Sequence, residues 1–209
     1  MMTQHEGSMS TVVQHEDIIV AQLSKIFALK LGYSQYQAQL IYKAAVLHDI
    51  GKAAIPQEIL LKPSKLTSDE YEIMKTHTTI GARMLCGLQN PLKEMAALVC
   101  EYHHERWDGN GYWKIPATQL PTFIFVVSLA DVYVACAMRR PYKEPWAQDE
   151  ILEYIKDQAG GQFPPSIAQS FIRMMNGYDI DSIDNSNSID NVSNELDILK
   201  SKIESLQKL

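Results

Sequence analysis

The stretch "QAQLIYKAAVLHDIGK" (residues 37–52) is nearly all apolar until it delivers His48, Asp49 and, after Gly51, Lys52. Its pattern predicts a helix over Gln37–Ile50 ended by Gly51, with Ile41, Ala44 and Ala45 leading at helical spacing to His48. An imidazole on the stripe that faces the interior needs a partner, because burying an unpaired polar group costs several kcal/mol. Taken alone, such a histidine is most simply a hydrogen-bonded core residue.

The same arrangement recurs along the chain. Ile73, His77, Ile80 and Met84 share one predicted helix face. Leu92, Met95, Ala96, Val99 and His103 share another, and Ile124, Val127, Asp131 and Val134 a fourth. Four helices that each place a histidine or aspartate where a core residue belongs point to convergence on something that satisfies all of them. A metal centre of nitrogen and oxygen ligands does this, and imidazole with carboxylate suits iron, manganese or zinc. The adjacent pairs His48-Asp49 and His103-His104 offer more ligands than one tetrahedral ion needs. They favour at least two metals, with Asp49 as the natural bridging carboxylate.

The remaining segments agree with an all-α fold. Thr11–Leu31 carries Val20, Leu23, Phe27 and Leu31 and is stopped by Gly32; Thr67 with Glu70 makes a capping-box pattern. Asn90 and Pro91 sit where a helix cap and first turn belong. Phe123–Met138 reads as a buried helix, although its β-branched residues leave a strand open, and Asp149–Ala159 and Pro165–Met175 complete the globule. Beyond Tyr178 the polar run "DIDSIDNSNSIDNVSN" (179–194) leads into Ile189, Val192, Leu196, Leu199, Ile203 and Leu206, a heptad pattern. The expected division is therefore 11–178 for a metal-dependent domain and 179–209 for a polar linker and a short amphipathic helix. That helix either forms a homodimer or docks on its own domain.

Composition limits what such a domain does. A net charge of −6 excludes a general surface for duplex nucleic acid. Cys86, Cys100 and Cys136 have no metal-type spacing and read as buried thiols of a reducing compartment. The longest apolar run is too short to span a bilayer and contains Asp131, and Met1 to Ser10 is polar. A cytoplasmic location without membrane contact is expected.

"HDIGK" (48–52), His77, "HHERWDGNGY" (103–112), Asp131 and "RPYK" (140–143), in this order, resemble the HD-GYP domain, a bacterial branch of the HD phosphohydrolases. The resemblance runs from about Glu16 to Met175. It implies a helical bundle with a buried bi- or trinuclear centre of divalent ions, iron or manganese first, with zinc, nickel or magnesium as alternatives. It implies hydrolysis of cyclic di-GMP to pGpG or GMP by a metal-bridged hydroxide. Carried over by position, His48, Asp49, His77, His103, His104 and Asp131 are metal ligands, and Asp49 and Lys52 act in catalysis. Lys52, Arg140 and Lys143 hold phosphate, while Gly109, Gly111 and Tyr112 form the substrate loop.

Departures accompany the matches. The first-helix histidine of the family falls on Glu16, which the stripe Glu16–Val20–Leu23–Phe27 selects as inward, so a carboxylate ligand is expected there. Val12 stands where trinuclear members carry a glutamate, which favours two ions over three, and Trp113 replaces the last letter of GYP. Phe125 and Val134 stand where an arginine and an aspartate are usual, and Phe163-Pro164-Pro165 replaces the usual FDP. Two alternatives stay open beside the phosphodiesterase: a weak or inactive signalling module that binds a cyclic dinucleotide, and a phosphohydrolase for another nucleotide.

Overall fold

The computed structural model describes the backbone of residues 5–85, 90–139, 144–177 and 186–207, and side chains from residue 16 onward within these, except 186–193 and 206–207. In chain order its helices are α1 (His5–Lys30), α2 (Gln35–Val46), α3 (Gln57–Leu60), α4 (Ser68–Leu85), α5 (Pro91–Tyr102), α6 (Thr122–Ala137), α7 (Gln148–Asp157), α8 (Pro165–Met175) and α9 (Ser186–Gln207). Short 3-10 helices cover Ile50–Ala54 and Ala117–Gln119. Among the described residues there is no strand, only one isolated bridge between Ala159 and Phe163.

α6 settles the ambiguity of the Phe123–Met138 run in favour of a helix. It is apolar on all sides because it is surrounded by α1, α2, α5, α7, α8 and α9, and Ile124 to Ala130 are all buried. Phe171 of α8 packs its ring edgewise on Phe27 of α1 (5.1 Å between centroids) and on Tyr133 of α6 (5.6 Å). Predicted caps are in place. Thr67 and Glu70 exchange side-chain and backbone hydrogen bonds, and Asn90 accepts from the Leu92 amide at 2.9 Å.

α2 ends earlier than the sequence suggests. The helix stops at Val46, and the chain tightens into three-residue hydrogen bonds, with the His48 amide donating to Ala45 and that of Ile50 to Leu47. Gly51 makes this possible. A β-carbon there would lie 1.9 Å from the His77 carbonyl oxygen and 2.6 Å from the Gly81 nitrogen, so only glycine lets the Ile50–Ala54 turn lie against α4.

α4 is also rotated from expectation. Its buried residues are His77, Thr78, Gly81 and Ala82, while Ile73 and Met84 are exposed. Close approach explains this: small side chains admit the 3-10 turn and α5, and bulky ones would hold them off. His77 belongs to both faces and still points inward.

At the C-terminus Leu196, Leu199 and Ile203 are buried, and α9 packs along α1 and α6. Lys25 pairs with Glu195 at 3.2 Å, and Lys200 donates to the Met175 carbonyl at 2.7 Å. The linker residues 179–185 and the side chains of Ile189, Val192 and Leu206 lie outside the described residues.

Candidate metal centre

His48 and Asp49 sit on the turn after α2, His77 in the middle of α4, His103 and His104 just past the end of α5, and Asp131 in the middle of α6. The structure brings all six together. Side-chain donor atoms of Asp49, His77, His103 and His104 lie within 4.8 Å of one another, as do those of His48, His103 and Asp131. A third group with the same spacing joins His48 and Asp49 to Asp17 of α1.

Backbone carbonyls orient the imidazoles. His48 Nδ1 lies 2.7 Å from the Ala45 oxygen, His77 Nδ1 2.6 Å from that of Met74, and His103 Nδ1 2.9 Å from that of Val99. A carbonyl only accepts, so each Nδ1 carries a proton and each Nε2 is turned toward the centre. Asp49 divides its oxygens: Oδ1 is 3.2 Å from His77 Nε2 and 3.7 Å from His103 Nε2, while Oδ2 is 3.2 Å from His48 Nε2 and pairs with Lys52. His48 Nε2 is also 3.7 Å from Asp131 Oδ1. Buried Asp49 Oδ1, His77 Nε2 and His103 Nε2 have no hydrogen-bond partner. Orphaned lone pairs facing one point are what a cation would satisfy, so these residues fit a divalent metal.

The electrostatics separate the members. Burial, followed by the neighbouring imidazoles His104 and His48, drives the His103 pKa well down. Burial also lowers that of His104, to about 4, against the opposing pull of Asp131 and Asp49. Both are neutral, as ligands must be. Burial would lower His48 as well, but Asp49 and Asp131 override it and hold its pKa well above the usual value, so His48 Nε2 shares a proton with these carboxylates that a bound cation would displace. Asp49 is the converse: burial would raise it, and His48, His77 and Lys52 keep it ionised. Burial raises Asp17 to about 6, with His48 opposing and Asp49 and Asp131 adding.

The loop after α5 forms one wall. Glu105, 1% exposed, accepts from the backbone amides of Trp113 at 2.6 Å and Ile115 at 3.0 Å. Gly111 is required by this clamp and not by its φ angle: a β-carbon there would meet Glu105 Cα at 2.5 Å and Oε2 at 2.6 Å. Positive φ is needed at Gly109 (74°), and Lys114 also adopts it (57°). Tyr112 lies against the His104 ring, 4.5 Å between centroids and tilted by 36°, and meets Tyr71 edgewise at 5.8 Å. Trp113 donates from Nε1 to Thr78 Oγ1 at 3.0 Å, and Lys75 lies 5.6 Å above its ring.

Two expectations change, and two residues lie out of view. Glu16 is in none of the donor groups, whereas its neighbour Asp17 is. The stripe does not single out one inward residue, because α1 is buried on several sides. The signal that finds Asp17 is the line of small buried residues Ala21, Ser24 and Ala28 on its own face. Gly111 serves close packing and not the turn. Arg140 and Lys143 lie outside the described residues.

Comparison with known proteins agrees with this geometry. The HD domain family model matches residues 2–167. The chain is 41% identical over 155 residues to the cyclic di-GMP phosphodiesterase response regulator RpfG of Xanthomonas campestris, covering 74% of this chain and 41% of that protein. It is 40% identical over 156 residues to a cyclic di-GMP phosphodiesterase of Thermotoga maritima, covering 74% of this chain and 42% of the relative. The chain thus spans less than half the length of these relatives. Among solved structures, an HDG"Y"P protein from Bdellovibrio bacteriovorus superposes with a TM-score of 0.63 at 20% identity, over 79% of this chain and 53% of that one. With its HD dipeptide, its converging histidines and the matched model in agreement, this chain belongs to the HD domain family.

Proposed function

We propose that the chain is a metal-dependent phosphodiesterase that hydrolyses a cyclic dinucleotide, cyclic di-GMP foremost, to pGpG or GMP. One observation carries this reading: Asp49 Oδ1, His77 Nε2 and His103 Nε2 are buried without partners around a common point. The naming of the relatives as cyclic di-GMP phosphodiesterases supports the choice of substrate.

Two divalent ions, iron or manganese, suit the donors. His77, His103 and His104 would hold one with Asp49 Oδ1, and His48 and Asp131 the other with Asp49 Oδ2, so that Asp49 bridges. Such ions supply Lewis acidity toward the phosphoryl oxygens and lower the pKa of bound water. Lys52 places its ammonium beside Asp49 at the edge of the centre, where it offsets charge on a phosphate. Arg140 would grip phosphate oxygens as a planar fork and Lys143 as a point charge. Tyr112, held against His104 and Tyr71, offers a face for a base, and Glu105 fixes the loop that carries it. Residues 11–178 make up the hydrolytic unit, with 179–209 as an appendage. The buried Leu196, Leu199 and Ile203 favour docking of α9 on its own domain over pairing of two chains.

A second reading is a module that binds the dinucleotide with little or no turnover. It is favoured by Phe125 and Val134, buried apolar residues of α6, the helix that carries Asp131, at positions where the resemblance leads one to expect an arginine and an aspartate. Anaerobically purified chain loaded with Mn(II) or Fe(II) and given cyclic di-GMP, other cyclic dinucleotides and pGpG separates the two. The expected outcome is cleavage of cyclic di-GMP that Asp49→Ala reduces at least about a thousandfold, a loss of roughly 4 kcal/mol in transition-state stabilisation. Tight binding without product would establish the module instead.

A further inference from the structure

We propose that Asp17 of α1, and not Glu16, is a ligand of the ion held by His48, and that its carboxylate, the third at that position, widens the chemical difference between the two ion positions. The inference rests on the reading of the site as a two-ion centre.

The reasoning starts from the lone pairs. His48 commits Nδ1 to the Ala45 carbonyl at 2.7 Å, so it has one nitrogen to give and can serve one ion. Two of the donor groups use that nitrogen, one with His103 and Asp131 and one with Asp17 and Asp49. Because that nitrogen serves one ion, we assign both groups to one position, at which His48 joins Asp17 and Asp49 on one side and Asp131 on the other. His103 likewise has only Nε2 to give, and it lies 3.7 Å from Asp49 Oδ1, on the side of His77 and His104. That leaves three imidazoles and one carboxylate at the other position.

Asp17 reaches the centre because of what surrounds it on α1. Ala21, Ser24 and Ala28, all fully buried, continue its face, and α1 packs against α2, which leads into the turn carrying His48. A carboxylate on this line needs only its short side chain to come within 4.8 Å of the His48 and Asp49 donors. An oxygen-rich position with three carboxylates prefers hard cations such as Mg(II) or Mn(II). A nitrogen-rich one prefers Fe(II) or Zn(II).

The test counts ions instead of turnover. Metal-stripped full chain is titrated with Mn(II) and followed by electron paramagnetic resonance, with circular dichroism melts confirming the fold of each variant. Wild type should take up two ions per chain. Asp17→Ala and the near-isosteric Asp17→Asn should keep one and weaken the second by roughly tenfold or more, at least the range seen when a supporting partner of a ligand is lost. Mg(II) in excess should displace one Mn(II) from wild type and leave the other. Two unchanged ions in both Asp17 variants would overturn the proposal while leaving the two-ion centre standing, as would loss of an ion from Glu16→Ala but not from Asp17→Ala. Displacement of both ions by Mg(II), or of neither, would overturn the inequality. Uptake of fewer than two ions by wild type would overturn the proposal together with the reading beneath it.

Discussion

His104 shows how much a single side chain is shaped by its place. Its pKa, lowered to about 4 by burial, lies below the ordinary imidazole value of 6.5. Between these values the unfolded chain takes up a proton that the folded chain refuses, so stability rises with pH across that window and is lost on acidification from about 6.5 toward 4. His104 is half-buried, so solvent screening reduces the effect to about 2 kcal/mol at most. In metal-stripped protein, nuclear magnetic resonance should find this imidazole titrating near pH 4. His104→Ala should flatten the acid side of the stability profile, and a midpoint near 6.5 would contradict the burial argument. At this scale the sequence was informative wherever an ionisable residue interrupted an apolar stripe, as at His48, His77, His103 and Asp131. It did not announce that Asp17 lies near His48 and Asp49, because α1 is covered on several faces and a stripe then no longer names one inward residue.

Among the elements, contact between the Ile50–Ala54 turn and α4 sets the distance from His48 and Asp49 to His77. Gly51→Ala would place a methyl 1.9 Å from a backbone oxygen that no rotamer change can move. Overpacking of this kind costs about 3 kcal/mol, so thermal melts should show a drop of roughly 6–12 °C. Manganese uptake should weaken with it, because the turn and α4 must separate; an unchanged melt and titration would refute this. Helix identity and caps were legible because Thr67, Glu70, Asn90 and Pro91 act locally. The early end of α2 and the rotation of α4 were not, since both follow from close approach between segments distant in sequence. Gly51 and Gly81 record that approach only once their neighbours are known.

For the whole molecule, α9 closes the bundle by covering α1 and α6. Leu199, 3% exposed, should cost about 2–3 kcal/mol on replacement by alanine, toward the low end for buried leucines because an end helix can relax. Sedimentation should give the mass of one chain for both forms; a double mass that halves in Leu199→Ala would mean that the apolar face joins two copies. The heptad spacing announced an apolar stripe without naming its partner, because a stripe of this width suits a second helix of either origin. No helix among the described residues is long and apolar enough to cross a membrane. The carbonyls that aim His48, His77 and His103 belong to Ala45, Met74 and Val99, each three or four positions earlier in the same segment as the ring it aims. The aim of these three imidazoles is thereby set within their own segments, whereas His104, packed against Tyr112, is the member of the cluster that answers to the loop at residues 106–114. A change in the loop that carries Tyr112 and Trp113 therefore reaches the cluster through His104 first and leaves the tautomers of the other three rings in place.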